Sequence, residues 1–170
     1  LGLDSAKEEM DTNEKIFLER GMATLVFDGP GQGESEYEQP ICPEYEVPVK
    51  SVMDWLEKRN DVDSDRVGIW GVSLGGYYAP RAAAFEERIK ACISLTGPFK
   101  LIECFNELPG LTKSAFIYRS HSSDEEQAKG VAVRMSLEDV AEKITCPLYV
   151  VAGKLDRVIP YQQALKLSQT

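Results

Sequence analysis

The chain has 170 residues, of which 43% are hydrophobic and 28% charged, and carries a net charge of -9. That balance describes one globular domain with a real core, and the acidic excess argues against nucleic acid, whose phosphates need a basic surface. No apolar run approaches the roughly 20 residues of a membrane helix, and no basic, apolar leader opens the chain, so the cytoplasm is the expected compartment.

In chain order, short apolar blocks alternate with helical patterns. Residues 5–20 read as a helix closed by Gly21 at a C′ position, followed by a strand-like block at 22–28, MATLVFD. Val49, Val52, Met53 and Leu56 then mark one face of a helix. Residues 66–70 (RVGIW), 89–96 (IKACISLT) and 147–153 (PLYVVAG) read as three further strands. This alternation predicts βαβ units and a mostly parallel sheet with helices on both faces. Residues 98–138 interrupt the rhythm and are expected to form a helical insertion over the carboxyl ends of the strands. Ser123 with Glu126, and Ser136 with Asp139, fit capping boxes, which predicts two helix starts there.

Three loops carry chemistry. Gly71-Val72-Ser73-Leu74-Gly75 fits G-x-S-x-G between a strand and a helical pattern, the setting of a nucleophile elbow. Glycines allow the close strand–helix approach that lifts the Ser73 hydroxyl clear, and the Leu74 N–H at the helix start is placed to bind an oxyanion. Pro80 is out of place in that helix because it removes a hydrogen bond. The loop at 28–35, DGPGQGES, lacks the third glycine of a dinucleotide fingerprint and the lysine of a P-loop. It reads as a tight loop beside an active site or as a purely structural turn. Asp156, just beyond the last strand, is suited to orienting a histidine, and Ser before Asp before His is the hydrolase order. The four cysteines form no C-x-x-C pair and read as reduced core thiols; no metal and no cofactor is expected.

DxxGxGxS, GxSxGG and GxxDxxxP in this order resemble the α/β-hydrolase superfamily. Residues 1–9, 20–35 and 71–79 are similar to a branch related to dienelactone hydrolase and the FrsA-like esterases. That branch includes 2,6-dihydroxypseudooxynicotine hydrolase and fungal polyketide-shortening hydrolases, which cleave carbon–carbon bonds beside a ketone. The resemblance implies a partial α/β-hydrolase domain over residues 1–170, with Ser73 as nucleophile and Asp156 as triad acid. It implies backbone N–H groups of Leu74 and Leu3 as the oxyanion hole, and a substrate that is a small carbonyl compound, either an ester or an activated ketone. Glu103 is a conceivable counterpart of an acidic residue that serves diketone substrates in some members, although a surface glutamate is the simpler reading.

The only histidine, His121, lies upstream of Asp156 and reads as a polar loop residue. The family histidine follows the acid, which places it beyond Thr170. The chain is accordingly expected to be a piece of a longer protein, lacking a cap and earlier strands, and inactive by itself. Homodimerisation of the full-length protein stays open. Two other readings are a hydrolase-fold binding or receptor module and a nucleotide enzyme on a doubly wound sheet.

Overall fold

The computed structural model describes residues 1–170 and is built on three parallel strands, β1 (Val67–Val72), β2 (Ile89–Leu95) and β3 (Leu148–Val151), hydrogen-bonded in that order. Trp70 stands opposite Ile93, which stands opposite Tyr149. Three of the four expected strands therefore form, each within a few residues of its predicted bounds. The fourth does not: residues 22–29 carry no ladder and pair with neither sheet edge. An apolar, β-branched run is only half of a strand, since its backbone groups also require a neighbour to bond.

Seven helices surround the sheet: α1 (Asp11–Leu18), α2 (Glu46–Leu56), α3 (Gly75–Ala83), α4 (Leu101–Phe105), α5 (Gly110–Arg119), α6 (Glu125–Arg134) and α7 (Gln162–Ser168). A 3-10 turn at Lys7–Met10 leads into α1. That helix ends as expected on Gly21, at φ 72, with the N–H groups of Gly21 and Met22 donating to the Leu18 and Phe17 carbonyls. In α2, Val49 and Met53 are buried while Val52 and Leu56 are half-buried, so the predicted stripe is the inward face.

The core centres on α3, where Tyr77 and Ala82 are fully buried and Tyr78 stacks on Tyr45 with ring centroids 3.8 Å apart. Pro80 lies inside α3, and its missing N–H leaves the Gly76 carbonyl without its usual partner. The buried Ser94 of β2 fills the vacancy, its Oγ donating to that carbonyl at 2.7 Å. The proline that is anomalous along the helix is thus satisfied from the sheet.

The capping expectations in the insertion need correction. Asp124, not Ser123, caps α6, its Oδ1 accepting from the Gln127 N–H at 2.8 Å. The carboxylate reaches that donor in an extended backbone, where a short side chain is best placed. No helix starts at Ser136: it bridges antiparallel to Lys100, and Asp139 takes φ 58, which breaks a helical path. The thiols are free, with Cys92 and Cys104 buried.

Candidate active site

The carboxyl ends of the three strands converge on one cavity of about 520 Å³, lined among others by Leu3, Trp70, Val72, Ser73, Thr96, Thr112 and Asp156. Ser73 follows β1, Thr96 follows β2 and Asp156 lies in the loop after β3, so parallel pairing alone gathers residues far apart in sequence. The cavity runs along the open side of β1 past Val72 and Trp70.

Ser73 occupies the left-handed region at φ 55. For an L-residue this costs about 1–2 kcal/mol and persists only where the surroundings enforce it. Here they do. The Ser73 N–H donates to the Leu95 carbonyl at 2.9 Å, pinning the turn to β2, and α3 begins two residues later. A Cβ on Gly71 would stand 1.8 Å from the Gly75 carbonyl oxygen, and one on Gly76 2.6 Å from the Gly97 Cα. Only glycine permits this approach of strand and helix.

Leu74 and Leu3 are both buried, yet neither backbone N–H donates to any group of the chain. Leu74 follows Ser73 directly in the chain, and Leu3 lines the same cavity as Ser73. Gly2 adjoins the serine: a Cβ built on it would lie 3.4 Å from the Ser73 Cβ and 3.8 Å from its Oγ.

Asp156 is half-buried, and its Oδ1 accepts from the Val158 and Ile159 N–H groups at 2.8 and 3.0 Å. Two backbone donors fix the carboxylate orientation, and Oδ2 makes no hydrogen bond within the chain.

His121 does not line the cavity. It is exposed and sits at the C′ position of α5 with φ 52, with the His121 and Ser122 N–H groups bonded to the Tyr118 and Ile117 carbonyls. Its Nε2 lies 2.6 Å from the Glu36 carbonyl oxygen, outside the cavity. Glu103 is likewise engaged elsewhere: its carboxylate accepts from Lys166 Nζ at 2.6 Å and Gln163 Nε2 at 2.8 Å. Those two bonds hold its pKa below the usual glutamate value. The surface reading of Glu103 fits its position.

The loop at 28–35 does not touch the cavity but supports it. Asp28 Oδ1 accepts from the Lys7 N–H at 2.9 Å, and Gly31 and Gly33 take φ 77 and 49. Gln32, 1% exposed, spans from this loop to residues 1–2. Two further residues were hidden in the sequence. Thr96 lines the cavity at φ 51, an unusual conformation for a β-branched residue. Arg119 of α5 donates to the Leu3 carbonyl and pairs with Glu36 at 2.9 Å. Neither stands in a recognisable motif.

The fold and the strand–turn–helix serine define an α/β-hydrolase fold, with the cavity at the strand ends as its candidate site. More narrowly, residues 8–170 match the model of the prolyl oligopeptidase family, and the chain belongs to that family. It is 40% identical over 158 residues to the 2,6-dihydropseudooxynicotine hydrolase of Paenarthrobacter nicotinovorans, covering 92% of this chain and 43% of that protein. The crystal structure of the 2,6-dihydroxy-pseudo-oxynicotine hydrolase superposes with a TM-score of 0.93 at 38% identity, over 99% of this chain and 48% of that one. A 20-hydroxy-prefusarin hydrolase of Gibberella moniliformis is 40% identical over 109 residues, 60% of this chain and 26% of that protein. The chain thus spans about half the length, or less, of these relatives. The expected superfamily and the likeness to this hydrolase and to fungal hydrolases are met. No helix is long and apolar enough to cross a membrane.

Proposed function

We propose that the full-length protein is a serine hydrolase that cleaves an ester or a ketone-activated carbon–carbon bond through an acyl-enzyme. The observation that carries this reading is the convergence on one cavity of the strained Ser73, Leu3 with its unpartnered N–H and a carboxylate with a free oxygen, with the equally unpartnered Leu74 N–H next to the serine in the chain. Ser73 Oγ attacks the substrate carbonyl carbon and gives its proton to a general base. The oxyanion of the tetrahedral intermediate accepts from the Leu3 and Leu74 N–H groups. Collapse expels the leaving group, which takes the proton, and water then hydrolyses the acyl-enzyme by the same relay. Asp156 holds the base through Oδ2 and stabilises its imidazolium.

In this reading the base is a histidine that follows Asp156 in the chain beyond Thr170, as the Ser–Asp–His order requires, because His121 precedes the acid, contacts the Glu36 carbonyl and is not among the residues lining the cavity. Residues 1–170 by themselves then bind substrate without turning it over. The likeness to two proteins named as hydrolases supports the reaction class. A fluorophosphonate probe applied to the full-length protein should label Ser73 and leave Ser73→Ala unlabelled. A folded protein that takes up no label would exclude the acyl-enzyme and favour a binding module.

A further inference from the structure

We infer that Gln32 is a positioning residue for the oxyanion hole, acting through the Gly2–Leu3 peptide unit. The inference rests on the proposed role of the Leu3 N–H. Gln32 is 1% exposed and uses both ends of its amide. Its Oε1 accepts from the Tyr45 hydroxyl at 2.6 Å and from the Gly29 N–H at 3.2 Å. Its Nε2, which carries two hydrogens, faces the Leu1 and Gly2 carbonyl oxygens at 3.3 and 3.4 Å.

The Gly2 carbonyl and the Leu3 N–H belong to one peptide plane. No peptide bond in the chain is cis, so the two point in opposite directions. A carbonyl held toward Gln32 therefore turns the Leu3 N–H to the opposite side of the plane, the side of the cavity that Leu3 and Ser73 both line. Donation to the carbonyl also polarises the peptide and strengthens its N–H as a donor. Arg119 donates to the Leu3 carbonyl and so holds the next peptide plane, which limits rotation on the far side of the Leu3 Cα. The Oε1 bonds orient the amide, because an acceptor already holding Tyr45 and Gly29 leaves Nε2 only one way to face. This gives the 28–35 loop a function: it carries Gln32 to the back of the oxyanion site.

The two ends of the amide make the idea testable on the full-length protein. Gln32→Glu keeps an oxygen for Tyr45 and Gly29 but removes the Nε2 donor. Gln32→Met removes both at similar length. With rates expressed per serine titrated by a fluorophosphonate, both variants should lose about 10- to 100-fold in kcat, below the effect of deleting a donor outright. KM should move less than about twofold, and a trifluoromethyl ketone that forms an oxyanion adduct should bind more weakly by the same factor as kcat. A Gln32→Glu enzyme with wild-type kcat per titrated serine would overturn the inference and reduce Gln32 to a brace of its own loop. So would a loss confined to the titre or to KM. Failure of the wild-type protein to take up the fluorophosphonate would instead overturn the serine hydrolase reading itself.

Discussion

At the residue scale, Ser73 shows what a short motif reveals and what it hides. G-x-S-x-G was enough to anticipate a serine on a strand-to-helix turn, because the glycines are required by backbone approaches under 3 Å that no side chain survives. Gln32, Arg119 and Thr96 were not legible. Gln32 and Arg119 bond to partners distant in sequence, Thr96 is set by the end of β2, and all three residue types are common where no such position is involved. The strain at Ser73 has a measurable consequence. Alanine at φ 55 keeps the left-handed penalty, whereas glycine does not. Ser73→Gly should therefore be more stable than Ser73→Ala by about 0.5–1 kcal/mol, the left-handed penalty less the extra chain entropy that glycine loses on folding. Urea unfolding of the two inactive variants, with midpoints compared at equal m, checks this. Equal midpoints would mean that the turn relaxes when the hydroxyl is gone.

Among the elements, periodicity located helices well and their ends poorly. The α2 stripe was readable because burial repeats along one face. The α6 start shifted by one residue because Ser123 and Asp124 are both good caps, and only the fold decides between them. The clearest case is α3, whose Pro80 contradicts its own helix until β2 is considered. Ser94→Ala would leave the Gly76 carbonyl buried and unpaired, at a cost of about 1–3 kcal/mol. Pro80→Ala returns a main-chain N–H to that carbonyl. The double variant should thus regain most of the loss, while Pro80→Ala alone changes stability little because Ser94 already holds the site. A double-mutant cycle from four denaturation curves should give a coupling of about 1 kcal/mol or more. Strict additivity would show that the Ser94 bond does not substitute for the missing helix bond.

Across the whole molecule, the pattern of residues 22–28 favours a strand, and the fold leaves these residues without a ladder partner. Local sequence encodes the preference for an extended chain; pairing is non-local, and the sheet of residues 1–170 offers no neighbour at that place. The consequences are visible at the surface. Met22 is 44% and Leu25 39% exposed, Tyr149 on the outer strand β3 is 66% exposed, and both outer edges of the sheet present free N–H and C=O groups. Open, apolar strand edges are templates for association between chains. The hydrolase covered here to 43% of its length and the crystal structure covered to 48% have further polypeptide, and we propose that such segments pair these edges in the full-length protein. Hydrogen exchange separates the two situations. In the full-length protein the amides of 23–28 should exchange slowly, as members of a ladder, and in isolated residues 1–170 rapidly. At equal concentration the isolated segment should also elute as aggregates in size-exclusion chromatography, while the full-length chain elutes as a defined species. Slow exchange at 23–28 in a monomeric 1–170 segment would show that these residues find a partner within the segment, and the sheet order β1-β2-β3 would then have to gain a fourth strand.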